Sequence, residues 1–189
     1  APQGTSGPTT TCVGLALHVA VGDTGPIASA DWVKSQLAGA NQHFAPLAVE
    51  FRIVSIDALP ASALRVEDRK ERDSFAPQVK GKIIHVFVTG ALDDIDIPGG
   101  NVYGVAWHVY GRGGPGKLII LSTQAWEHTL AHELGHVFGL PHSTYAISIM
   151  NKTDRKEPPV EQRTFDPKEL AAMKPRIAWL LRAGLLARS

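Results

Sequence analysis

The stretch His132-Glu133-Leu134-Gly135-His136-Val137-Phe138-Gly139-Leu140-Pro141-His142-Ser143 decides how the other residues of this chain are read. Residues four apart on a helix project from one face, one turn apart. His132 and His136 therefore present two imidazoles to one point, where each can bind the same zinc ion at about 2.0–2.1 Å. Glu133 stands beside them, placed to hold a water without being a ligand. If the helix continued, His142 would lie about 9 Å further along the axis and on another face. Gly139 removes that obstacle, because glycine readily enters the left-handed conformation that ends a helix. Pro141 keeps the helix from resuming. The turn brings His142 back as a third ligand. Three protein ligands with one open position is the arrangement of a catalytic zinc, whereas a structural zinc takes a fourth.

The pattern His132-Glu133-x-x-His136-x-x-Gly139-x-x-His142, followed by Ser148-Ile149-Met150-Asn151, resembles the metzincin clan of zinc peptidases. The resemblance implies that Met150 is the methionine of the clan's Met-turn, an apolar floor under the metal histidines. It implies an α/β (α+β) fold with a cleft between two lobes. The upper subdomain, residues 12–139, would hold a mixed twisted sheet and two long helices. The lower subdomain, residues 140–189, would be small, mostly irregular and helical, and residues 1–11 a flexible tail. It also implies that Tyr103 to Val109 is an edge strand whose rim, Gly104, Val105, Ala106 and Trp107, binds a protein or peptide substrate as an added antiparallel strand. Such a rim has a physical basis, because an edge strand offers unpaired N–H and C=O groups to any extended peptide.

Placement within the clan stays open between two families. Ser143 after the third histidine is shared with matrixins. The order of strand, helix ending Asn41-x-x-Phe44 and strand resembles pappalysins and their small bacterial relatives. Lys152 stands where astacins and serralysins carry a tyrosine, and Tyr145 substitutes only if its loop folds over the metal.

Nineteen Lys and Arg against eighteen Asp and Glu leave the 189-residue chain near neutral. No basic stripe points to nucleic acid, and no apolar run approaches the ~18 residues of a membrane span. Cys12 is the single cysteine, so no intrachain disulfide forms. It lacks the flanking residues of a zinc-blocking propeptide switch and reads as a small buried thiol. The Gly/Pro/Ser/Thr composition of residues 1–11 resembles a processed terminus. The expected location is secreted or extracellular, or periplasmic.

Val13 to Val21 reads as a buried strand. Ser29 caps a helix to about Phe44, with Val33, Leu37, Ala40 and Phe44 on one stripe. Pro46 closes it, and alternation from Leu47 to Ile53 predicts a strand with one covered face. The charged insert Arg65 to Asp73 reads as a solvated loop or short helix. Lys82 to Thr89 and Lys117 to Leu121 are further strands. His18, His43 and His85 read as structural, and His128 as helix surface or a support to the ligands. Asp93, Asp94 and Asp96 make a polar loop; Ca²⁺ is the alternative reading, since calcium takes hard oxygen ligands, but the spacing matches no EF-hand. Ser122 or Thr123 is the expected cap of the zinc helix. In the polar segment after Met150, which in the clan helps wall the pocket for the residue after the scissile bond, Lys152 and Arg155 read as solvated charges or as selectors of acidic side chains. Asp166-Pro167-x-Glu169 starts a last helix, which Pro175 kinks or restarts.

The chemistry expected is hydrolysis of peptide bonds by a zinc endopeptidase, with Glu133 as general base. Zinc lowers the pKa of bound water from about 15.7 to about 7, which an unaided glutamate cannot do. Two alternatives remain: a gluzincin whose third ligand is Glu157 or Glu161, and a non-catalytic binding module. The Gly139/His142 pair opposes the first. Glu133 opposes the second, because a structural site needs no base.

Overall fold

The computed structural model describes residues 9–111 and 114–189. Residues 1–8 of the expected tail lie outside them, and Thr11 already belongs to the first strand. The element order is β1 (Thr11–Gly22), β2 (Gly25–Pro26), α1 (Ala30–Phe44), β3 (Val49–Leu59), β4 (Arg65–Val66), α2 (Arg69–Asp73), β5 (Ile84–Thr89), β6 (Ala91–Leu92), β7 (Gly104–His108), β8 (Lys117–Ser122), α3 (Thr129–Val137) and α4 (Pro167–Arg182).

The main sheet runs β3-β1-β5-β8-β7, with the short β2 antiparallel on the end of β1. Its first four strands are parallel and β7 is antiparallel to β8. The central strands are covered on both faces, which is why their sequences are continuous apolar runs rather than alternations. Val13 to Ala20 of β1 and all of β5 are buried. One face packs on α1, α3 and α4 through Val13, Leu15, Phe44, Val86, Leu134 and their neighbours. The other face closes on a smaller cluster with Phe75, Phe87, Leu118 and Ile120.

β3 runs six residues past the expected Ile53. The ladder to β1 shifts between Leu15 and Ala16, where Val54 is passed over. A bulge of this kind inverts which residues face the core, so the period-two signal breaks in mid-strand. α1 matches its sequence signals: Ser29 Oγ accepts from Trp32 N at 3.1 Å and the helix ends at Phe44.

The zinc helix departs from expectation. α3 begins at Thr129, not after Ser122 or Thr123, and has nine residues. Among the described residues only α1 is long before Met150, and the second long helix, α4, comes after it. Ser122 and Thr123 spend their backbone N–H groups on Tyr103 O and Thr89 O, so the chain is still attached to the sheet there. The start of α3 is supplied from α1 instead. Gln36 Nε2 donates to Ala125 O and Trp126 O, at 3.2 and 2.6 Å, while its Oε1 accepts from Leu130 N at 3.1 Å. One buried amide thus fixes the turn and satisfies an otherwise orphaned helical donor.

In α4 the Asp166–Glu169 capping box and Pro167 are in place. Pro175 neither ends nor restarts this helix, which continues to Arg182. Pro175 and Ala171 are exposed, so the carbonyl left without a helical partner faces water. No helix among the described residues is long and apolar enough to cross a membrane.

Candidate metal centre

α3 carries His132 and His136 on one face. At its end Gly139 adopts φ +96°, the left-handed turn its position calls for, and the chain returns through Pro141 to His142. The Nε2 atoms of His132 and His136 are 3.2 Å apart, and those of His136 and His142 3.3 Å. A tetrahedral ion bound at about 2.0–2.1 Å needs ligand atoms about 3.3–3.4 Å apart. Among the described residues this trio is the only group of His, Cys, Asp or Glu close enough together to hold a metal ion. Glu157 and Glu161 do not join it.

The protons say the same. His132 Nδ1 is 2.7 Å from Ile149 O and His136 Nδ1 is 2.7 Å from Leu140 O. A carbonyl only accepts, so both Nδ1 atoms carry hydrogen and both Nε2 atoms present bare lone pairs. Burial lowers the pKa of both rings, that of His136 to about 4, so no proton lies between them at neutral pH. Two lone pairs facing each other at this distance are repulsive unless a cation sits between them. The donor set fits a zinc ion.

Glu133 is buried beside the cluster, under β7. Desolvation pushes its carboxyl up to about 8, opposed by the nearby Ala106 backbone N–H and by the charge of Lys117. Lys117 itself donates from Nζ to His136 O at 2.7 Å. A Cβ on Gly104 would stand 3.0 Å from Glu133 Oε1 and 2.9 Å from Leu121 and Thr129 side-chain carbons. β7 therefore approaches the carboxylate closely only because that residue is glycine.

The expected rim is the open edge of the sheet, since among the described residues β7 pairs with β8 alone. Its side chains alternate. Gly104 and Ala106 face α3, whereas Val105 and Trp107 pack with the opposite cluster. Trp107 reaches away from the metal centre: its Nε1 donates to Asp73 Oδ1 at 2.8 Å, and the Arg72 guanidinium lies 5.0 Å from its ring. Only its backbone belongs to the rim.

Met150 is fully buried. Its sulfur would lie 2.7 Å from a Cβ at Gly135, so the thioether sits against α3 between the two helical histidines. Tyr145 turns to Lys168, whose Nζ is 5.6 Å from the ring. The three aspartates of the calcium alternative are otherwise engaged. Asp93 pairs with Arg65 and Asp96 with Arg69, while Asp94 caps the N–H groups of Asp96 and Ile97. Cys12 lies on β1, outside the histidine trio.

Two supports are hidden in sequence. Glu169 reads as a helix cap, yet it also binds Ser148 beneath Met150. His43 and His128, 85 positions apart, share a 2.8 Å contact from Nε2 to Nδ1, and His43 Nδ1 is 3.2 Å from Thr164 Oγ1. His128 occupies the N-cap position of α3. Neither spacing carries a signal.

The matrixin family model matches residues 69–171, more than half of the chain. No curated protein shows a significant sequence match. Among solved structures the fold is similar to metalloproteinase-II of Bacteroides fragilis, with TM-score 0.60 and 16% identity over 92% of this chain and 55% of that one. Archaemetzincin of Methanopyrus kandleri gives TM-score 0.59 and 18% identity over 90% of this chain and 98% of its own. Mature mirolysin of Tannerella forsythia, in complex with a cleaved peptide, gives 0.51 and 13% over 72% and 66%. At these identities the likeness is one of fold. The chain spans about half the length of the Bacteroides protein.

Proposed function

The chain belongs to the matrixin family of metallopeptidases, and from that premise we propose that it is a zinc-dependent endopeptidase acting on extended protein segments. His132, His136 and His142 would hold the ion through Nε2. When bound, zinc supplies Lewis-acid polarisation of water and of the scissile carbonyl. The carboxylate of Glu133 takes the proton of the attacking water and delivers it to the leaving amine. Its burial serves this, because a desolvated carboxylate is a far stronger base than one in water. The open edge of β7 binds the substrate backbone as a further strand, which holds the scissile bond next to Glu133.

The observation that carries this reading is the pair of bare Nε2 atoms 3.2 Å apart with a buried carboxylate beside them. The test is metal content and cleavage of unfolded casein by one preparation, alongside Glu133→Ala and a chelated sample. One zinc per chain, with cleavage lost in both controls, supports the proposal. A chain that binds no zinc, or a Glu133→Ala variant that still cleaves, refutes it.

A further inference from the structure

Beside Glu133 opens a cavity of about 360 Å³. It is bounded by Gly104 of β7, by His132 and Glu133 of α3, and by the segment after Met150. His136 and His142 do not line it. Because Glu133 passes its proton to the leaving amine, a cavity on its side of the metal centre belongs to the residue that follows the cleaved bond.

The charges of this cavity are one-sided. Lys152, Arg155 and Arg163 all line it, and Glu133, the base itself, is its one carboxylate. Among the described residues no Asp or Glu forms an ion pair with any of the three cations. They are not equivalent. Arg155 is spent on the loop, donating to Ala146 O, Ser148 O, Asn151 O and Thr153 O at 2.7–3.0 Å. Arg163 donates from Nε to Pro158 O and from Nη2 to Arg155 O. Of five guanidinium N–H groups, three remain, including both on Nη1. Lys152 is exposed and makes no hydrogen bond among the described residues. Burial lowers the Arg155 pKa, and repulsion from Arg163 adds to it. Clustered like charges cost stability unless an anion joins them. His128, on the same cavity, has an Nε2 without a hydrogen-bond partner among the described residues, with Glu127 Oε1 3.7 Å away. Ile149 and Val160 supply apolar wall for a side-chain stem.

We propose that this cavity selects an acidic side chain, so that the enzyme cleaves on the N-terminal side of glutamate, with Arg163 and Lys152 as the specificity-determining residues. The proposal rests on the peptidase reading above. Arg163 offers Nη1 to the carboxylate in the charge-assisted geometry guanidinium favours, and Lys152 adds a point charge at the mouth.

The test compares quenched peptides that differ only after the cleaved bond, carrying Glu, Gln, Leu or Lys there, on wild type, Lys152→Gln and Arg163→Gln. Binding of the dipeptides Glu-Leu and Gln-Leu to the zinc-loaded protein is measured by calorimetry in parallel. The expected kcat/KM favours Glu over Gln by about tenfold or more, with Lys the poorest. That ratio shrinks towards one in each variant and in high salt, and Glu-Leu binds more tightly than Gln-Leu. A variant that merely loosened the loop would slow all peptides alike and leave the ratio intact, which would overturn the assignment of that residue. Equal handling of Glu and Gln, or preference for Leu or Lys, overturns the proposal. If no peptide is cleaved but Glu-Leu still binds preferentially and Lys152→Gln removes the preference, the peptidase reading falls and the acidic pocket stands. No cleavage and no binding preference would overturn both.

Discussion

The hydroxyl of Ser148 lies 2.8 and 2.6 Å from the two carboxylate oxygens of Glu169, and both residues are buried. The same Ser148 oxygen accepts from Met150 N at 2.8 Å, and Ile149 O accepts from His132 Nδ1 at 2.7 Å. A carboxylate on α4 thereby fixes the turn that orients the His132 imidazole. Outer partners of this kind are worth about 10–100-fold in metal affinity. Glu169→Ala also strands the Ser148 hydroxyl and the Asp166 N–H, at about 1–3 kcal/mol each before relaxation. The variant should lose stability and hold zinc about 10–100-fold more weakly, read by competition with a chromophoric chelator. Unchanged zinc affinity would mean that the turn is held by its apolar packing alone.

Gly104→Ala tests the approach of β7 to the base. The new methyl would meet Glu133 Oε1, Leu121 and Thr129 at 2.9–3.0 Å, and the buried Leu121 yields little. Glu133 must move, and a displacement near 1 Å costs on the order of 100-fold in turnover. The three histidines are untouched. Turnover should fall while one zinc per chain remains, measured by metal analysis and peptide hydrolysis on the same sample. Full activity would show that the carboxylate has room to spare.

Much of this was legible because the deciding signals are local. The i, i+4 histidines, the glycine that ends α3, the Ser29 cap and the Asp166–Glu169 capping box each act within a few residues, so their spacing specifies their geometry. The continuous apolar runs likewise marked β1, β5 and β8. What failed to show depends on partners distant in sequence. The late start of α3 is set by Gln36, 94 positions before Leu130. The length of β3 is concealed by a register shift against β1. The rim reading of Trp107 concerns its backbone, and period two places its side chain on the other face, with Asp73 and Arg72. Gly135 carries no signal in the spacing of the motif, yet it admits Met150. The basic cavity needed Lys152, Arg155 and Arg163 to converge, and their sequence positions do not say whether they do.

The metal-free protein should be destabilised by its own base as pH rises. Glu133 is held near 8 in the folded chain against 4.5 in its ordinary state, chiefly by burial. The native state therefore binds this proton more tightly than the unfolded chain does. The stability so gained is fully present below 4.5 and is lost as pH rises to about 8, at about 1.4 kcal/mol per unit. Glu133→Gln keeps the shape and carries no charge. Its metal-free form should draw ahead of the wild type between those limits and stay ahead by a constant margin above them. Urea midpoints across pH on chelated samples give the answer, and parallel curves would refute it.

His43 sets an opposite dependence. Burial, aided by the neighbouring His128, lowers its pKa to about 4 from 6.5. The folded chain resists a proton that the unfolded chain accepts. Stability from this residue is fully present above 6.5 and drains away as pH falls towards 4, again by about 1.4 kcal/mol per unit. His43→Gln leaves a polar side chain facing Thr164 and His128 but removes the titration. The variant should begin less stable than the wild type at pH 7.5, because Gln fits the ring-shaped space beside Phe165 poorly. The gap should then narrow steadily on acidification. Urea unfolding of both proteins at half-unit steps, with chelator present so that zinc release does not intrude, isolates the difference. A gap that stays constant from 7.5 to 4 would show that His43 is protonated as readily inside the fold as outside it. The His43–His128 contact would then be a charged pair instead of a neutral one.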